Sequence, residues 1–106
     1  MSQLPRFYRQ FKQDRPELWR AYDQLGAVAA ESGPLDAKTR ELVRLGMAAG
    51  SKSESAVQSH VHRALEAGAT PEEIEHALLL GVTTLGLPAM MMALAWARDA
   101  MAKHTP

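Results

Sequence analysis

Residues 53–80 read SESAVQSHVHRALEAGATPEEIEHALLL, and this stretch decides the fold because it carries two helices and the break between them. Ser51 or Ser53 caps the first helix, and Val57, Val61, Ala64 and Leu65 recur on one of its faces. Gly68 ends it in the left-handed conformation that glycine tolerates. Thr70, Pro71 and Glu73 then form a capping box with proline at the first helical position, so a second helix starts there and runs to about Leu85.

The same grammar extends in both directions. Upstream, Asp14 caps a helix whose first turn carries Pro16 and Glu17, with Leu18, Tyr22, Leu25 and Ala29 at steps of four and three, and Gly33 and Pro34 end it. Asp36 caps the next helix, in which Leu42, Leu45, Gly46 and Ala49 share a face, Arg40, Val43, Arg44 and Met47 lie elsewhere around the axis, and Gly50 closes the run. Downstream, Pro88 opens AMMMALAWARDAMA, which becomes amphipathic only after Trp96. No segment alternates with period two. The class is therefore all-α, a helical bundle of about five to six helices in one domain spanning residues 1–106, with its core over about 16–97 and frayed ends before Pro5 and after Lys103.

Composition narrows the function. Twelve basic and twelve acidic side chains cancel, so net charge steers the chain toward neither nucleic acid nor anionic membrane, and a small substrate or partner is the natural expectation. With no cysteine there is no disulfide framework, no thiolate metal site and no thiol nucleophile. Residues 1–9 lack the order of a signal peptide, which makes a soluble cytoplasmic protein the expectation. Residues 77–97 contain no charged side chain, a run of 21 residues that is long enough to cross a bilayer. Gly86, Leu87 and Pro88 interrupt it, however, and two buried helices joined by a tight loop fit better than a membrane span.

Those two helices are apolar on nearly every side, and a domain this small rarely hides two such helices completely. The excess predicts a homo-oligomer. Met90, Met91 and Met92 read as adaptable core or interface packing, since thioether alone selects few metals and no soft partner accompanies it. No metal and no cofactor is expected.

The four histidines are not equivalent. His62 falls opposite the Val57, Val61, Leu65 stripe and reads as solvated, His104 sits in the tail, and His76 is flanked by Glu72, Glu73 and Glu75 on a surface. His60 stands four residues from both Ala56 and Ala64, small neighbours that leave its imidazole accessible at the edge of the buried stripe. Glu41, one turn before Leu45 at the edge of its own helix's apolar face, is the candidate partner, because packing the two helices brings the side chains together. A half-buried Glu–His pair can pass a proton.

The order of LDAKTREL, then SHVHRALEAGATPEEIEHALLLG, then TLGLPAMMMAL resembles the carboxymuconolactone decarboxylase and alkylhydroperoxidase D superfamily over Pro16 to about Ala97. The resemblance implies an all-helical domain that dimerises or trimerises through its long helices and often forms hexamers. In the peroxidase branch a Glu, a Cys-x-x-Cys pair and a His form a proton relay feeding a thiolate. Carried over by motif, the Glu falls on Glu41 and the His on His60, while the cysteine positions fall on Ser53 and Ala56. A serine hydroxyl neither forms a sulfenic acid nor closes a disulfide, so the thiol mechanism is closed to this chain. The decarboxylase branch has charged residues at those two positions, so its reaction does not carry over either. Two classes of function remain. One is a redox-independent acid/base enzyme for a small organic acid or lactone, with His60 as acid or base, Glu41 orienting it, Ser53 offering a hydrogen bond, and Arg44 or Arg63 either on a solvated helix face, the commoner role, or at a carboxylate. The other is a non-catalytic oligomeric binding or scaffold protein.

Overall fold

Alanine sets the spacing of the central helices. The computed structural model describes residues 6–104, and residues 1–5 and 105–106, which include most of the ends expected to fray, lie outside the described residues. The chain forms α1 (Arg6–Asp14), α2 (Pro16–Ala30), α3 (Ala37–Gly50), α4 (Glu54–Glu66), α5 (Pro71–Leu79), α6 (Gly81–Thr84) and α7 (Leu87–Lys103). Among the described residues this is an all-helical architecture of six full helices and the single turn α6, as the sequence predicts. α3 packs on α4, α4 on α7, and α5 closes against α3 and α7. The shared core joins Leu45, Ala48 and Ala49 of α3 to Val57, Val61 and Ala64 of α4, Ile74 and Leu78 of α5, and Met90, Ala93, Leu94, Ala97 and Ala100 of α7. Small side chains let the helix axes approach, and the fully buried Leu45, Ile74, Val57 and Val61 fill what is left, each contributing roughly 1.5–3 kcal/mol.

Polar ties then fix the helices in register. Lys38 meets Glu73 at 3.0 Å between α3 and α5, Arg98 clasps Glu75 at 2.9 and 3.2 Å between α7 and α5, and Gln58 donates to Asp99 at 3.2 Å between α4 and α7. The helix starts follow the capping chemistry: Asp36 accepts from the Thr39 amide at 2.8 Å, Ser53 from the Ala56 amide at 3.2 Å, and Thr70 and Glu73 complete a reciprocal capping box. Gly68 takes φ 97° after α4, a conformation that costs a side-chain-bearing residue backbone strain.

Four expectations need correction. Arg15, not Asp14, is the N-cap of α2; Asp14 ends a separate helix, α1, where it accepts from Gln10 at 3.0 Å. Pro16 has no amide to donate, so the chain turns there and two helices meet at a corner. α2 itself ends at Ala30, ahead of Gly33 and Pro34. The helix expected to run to Leu85 breaks at Leu80, and α6 restarts at Gly81, where an added Cβ would come within 3.1 Å of Leu85. On α2, whose stripe the sequence defines by spacing alone, Leu18, Tyr22 and Leu25 are exposed, Leu25 at 67%. α1 packs on α2 through Phe11 and Trp19, whose rings meet at 6.4 Å, and Trp19 lies 5.6 Å from Tyr22 one turn along α2.

His62 is the fourth correction. It is only 6% exposed, because the C-terminal end of α7 lies over it, and its Nδ1 sits 2.9 Å from Nδ1 of His104 in a stacked ring pair. One nitrogen must donate and the other accept, so the contact cannot survive with both rings fully protonated. Burial and then the neighbouring His104 push the His62 pKa below its ordinary 6.5, against the opposing pull of Glu66. The folded state thus binds this proton less readily than the unfolded state. The contribution is complete above the ordinary value and is lost as pH falls through it toward the depressed one. Urea midpoints should therefore drop between about pH 7 and pH 5, and drop less in His62→Phe, which keeps a ring and cannot titrate. Identical pH slopes in the two proteins would contradict this account.

Candidate functional site

The seam between α3 and α4 ends in a polar cluster. On α3, Glu41 and Arg44 stand one turn apart at the border of the core stripe. On α4, Ala56, His60 and Arg63 form a second border at helical spacing. Glu41 Oε1 lies 2.9 Å from His60 Nδ1 and Glu41 Oε2 3.0 Å from Arg44, so one carboxylate serves two cationic or donor groups. Both Glu41 and His60 are largely withdrawn from solvent. Burial alone would push the Glu41 carboxyl up, but the hydrogen bond and charge of His60, together with Arg44, outweigh it and hold the pKa below the usual value of 4.5. Glu41 is therefore ionised at neutral pH and acts as an acceptor only.

The tautomer of His60 follows. Facing an ionised carboxylate, Nδ1 carries the proton and donates it, which leaves Nε2 with the lone pair in the neutral ring. Nε2 has no partner among the described residues and is the atom available to a ligand.

Above this pair opens a cleft of about 710 Å³, floored by α3 and α4 and roofed by α2. Trp19, Tyr22 and Leu25 supply aromatic and apolar wall, Met47, Ala48 and Ala56 line the floor, and Asp23, Arg40, Glu41, Arg44, His60 and Arg63 are its ionisable groups. One polar contact pins the α2 roof, and a second ties the neighbouring α1 to α4. Arg44 donates to the Gly26 carbonyl at 3.3 Å, and the Tyr8 hydroxyl lies 3.3 Å from that of Ser55.

Of the residues singled out from sequence, Glu41 and His60 meet. Ser53 does not join them; its oxygen accepts the Ala56 amide as the cap of α4 and lies 3.5 Å from Ser55, and it is not part of the cleft lining. Arg44, expected on a solvated face or at a substrate carboxylate, is turned inward as the second partner of Glu41. The spacing of Glu41 and Arg44, three residues apart on one helix, signals this pair. Trp19 and Tyr22 were not read as site residues, since nothing local distinguishes an aromatic over a cleft from one in a core.

The sequence model of the carboxymuconolactone decarboxylase family matches residues 16–99. The chain belongs to the carboxymuconolactone decarboxylase family. It is 28% identical to a carboxymuconolactone decarboxylase family protein from Legionella pneumophila, whose crystal structure superposes with a TM-score of 0.78 over 93% of this chain and 88% of that one. A Burkholderia xenovorans protein described as a candidate carboxymuconolactone decarboxylase shares the fold, with a TM-score of 0.70 at 23% identity over 96% and 86% of the two chains. An uncharacterised protein of Haemophilus influenzae is 38% identical over 63 residues, which are 59% of this chain and 56% of that protein's length. Alignment with that curated relative thus spans little more than half of it. Within this family the present member has no cysteine, and Ser53 and Ala56 occupy the start and first turn of α4, below His60.

The assigned tautomer is directly measurable. Nitrogen-15 long-range spectra of the wild type at neutral pH should show His60 with its proton on Nδ1, and Glu41→Gln should shift the ring toward the Nε2–H form, which free imidazole prefers. An Nε2–H ring in the wild type would dissolve the pair as described.

Proposed function

We propose that this carboxymuconolactone decarboxylase family protein is a redox-independent acid/base enzyme acting on a small organic acid or lactone. The observation that carries the reading is the 2.9 Å contact between an ionised, half-buried Glu41 and His60 at the floor of a cleft. Glu41 is the positioning residue, fixing the ring and its tautomer, and His60 Nε2 is the catalytic atom. In the neutral ring it removes a proton from carbon next to a carbonyl; once protonated it returns one to the same carbon or to a leaving oxygen. Every proton taken is held on the imidazole, whose positive charge Glu41 stabilises. The apolar wall made by Trp19, Tyr22 and Leu25 suits an organic body. A purely non-catalytic scaffold has no use for an oriented Nε2.

Proton exchange tests this without knowledge of the product. A panel of enolisable carboxylic acids and lactones incubated in deuterium oxide should gain deuterium at the α-carbon faster with the protein than with buffer. His60→Gln should remove about 10²–10⁴-fold of that acceleration, and Glu41→Gln should remove part of it. No acceleration for any compound, or full activity in His60→Gln, would refute the assignment. Peroxide turnover with a dithiol reductant should not exceed buffer, and genuine turnover would overturn the argument from the missing thiol.

The protein is further proposed to work as a homo-oligomer. What supports this is apolar surface: Leu79, Leu80, Val82, Leu87, Met91 and Met92 are exposed around α5 to α7, Leu80 at 63%, and Leu18, Leu25 and Val28 are exposed on α2. Exposed apolar side chains grouped on neighbouring helices are the kind of surface that marks a protein–protein contact. Sedimentation at micromolar concentration should give a mass well above the 11.6 kDa of one chain; a clean monomer would exclude it.

A further inference from the structure

Three arginines line the cleft, and their guanidinium groups are in different states. Arg40 donates to the Leu35 carbonyl at 2.7 Å, which ties the loop before α3. Arg44 is held by Glu41 and by the Gly26 carbonyl. Arg63 is half-buried, lines the cleft, and its guanidinium meets no carboxylate or carbonyl among the described residues. Withdrawing a guanidinium from water without a partner is costly, and it is tolerated where a ligand restores the lost pairing. Its position is informative too. Arg63 lies three residues after His60, so the two side chains leave neighbouring points on one face of α4, with Cβ atoms about 5–6 Å apart. That separation suits a molecule whose anionic group and reactive carbon are adjacent.

Other charges around the cleft do not compete for the role. Glu41 is saturated by His60 and Arg44. Asp23, exposed on the α2 roof, forms no ion pair with Arg63. With three arginines against Asp23 and Glu41, the lining carries one net positive charge when His60 is neutral. Trp19 and Tyr22 across the opening offer flat apolar surface.

We propose that Arg63 is the anion-pairing residue of the cleft, binding the carboxylate of a small organic acid so that the carbon beside it lies at Nε2 of His60. The assignment rests on the reading of the cleft as a site for organic acids, and it adds the residue that selects charged over neutral ligands. A planar guanidinium matches a carboxylate through two parallel hydrogen bonds, which a lysine at the same place reproduces only in charge.

The test uses binding and not turnover. Benzoate and its neutral isostere benzamide are titrated into the full-length protein, with shifts followed at the Trp19 indole N–H and the His60 ring. Benzoate should bind at least about tenfold more tightly than benzamide. Arg63→Gln should erase that preference, Arg63→Lys should keep part of it, and Asp23→Asn should strengthen benzoate binding by removing a like charge. Absence of saturable benzoate binding to the wild type, or an undiminished preference in Arg63→Gln with a native amide spectrum, overturns the proposal. The two readings separate cleanly. If benzoate binds through Arg63 while no acid exchanges protons at His60, the anchor stands and the acid/base assignment falls. If exchange occurs and Arg63→Gln retains the charged-over-neutral preference, the reverse holds.

Discussion

Glu41 sits where the α3–α4 seam meets solvent, and most of what is distinctive in this protein follows from holding a carboxylate there. Its desolvation is unfavourable by itself and is offset by two partners, His60 across the seam and Arg44 one turn along α3. Removing either partner would leave the other side of the carboxylate under-compensated, so the three side chains behave as a unit. The alanines of the seam make this possible. Ala48 and Ala49 on α3 and Ala64 on α4 let the helices close, and the polar cluster forms at the distance their packing dictates. Arg44 then reaches beyond the seam to the Gly26 carbonyl, so the same carboxylate that orients the imidazole also steadies the arginine that pins the cleft roof.

The sequence makes the seam legible for a physical reason. Glu41 and His60 each lie one turn from a buried residue on their own helix, Leu45 and Val57 respectively, and two amphipathic helices joined by a short capped turn have few ways to pack. Cap residues Asp36, Ser53 and Thr70 are equally readable, because capping is local chemistry between residues three apart. The expectation of a solvated His62 fails because a helical wheel describes one face of burial, whereas α4 is covered by α3 on one side and by α7 on another. Nothing near residue 62 announces that the end of α7 returns over it with His104. The α2 stripe shows the limit from the other side. Periodicity says that Leu18, Tyr22 and Leu25 share a face; it does not say whether the surface they face belongs to the same chain.

Absence of a thiol changes the meaning of what remains around His60. In a relay that feeds a thiolate, the imidazole is an intermediate station, and its outer nitrogen is directed at sulfur chemistry. Here the position one turn before His60 on α4 is Ala56, which lines the cleft with a methyl group. Ser53 further back is occupied with the first turn of the helix. Among the described residues Nε2 has no side-chain partner, so the imidazole ends the chain of contacts that starts at Glu41. The proposed acid/base reading uses this arrangement as it stands, an imidazole held by Glu41 with the Arg63 guanidinium one turn along α4.

The roof of the cleft is where the proposed chemistry and the proposed assembly would meet. The inner side of α2 carries Trp19 and Tyr22 over the site, while Leu18 and Val28 are exposed on the same helix. Within the protomer α2 contributes no fully buried side chain, and its polar tether to the core is the Arg44 contact with Gly26. A helix fixed so lightly is free to change its distance from α3 and α4 at small cost, since little apolar burial opposes the motion. Seating a second copy on the outer face of α2 would add that burial and set the roof at one height. The width of the cleft, the exclusion of water above His60 and the apparent strength of the Arg63 ion pair would then all vary with protein concentration, because each depends on the dielectric and geometry that a settled roof imposes.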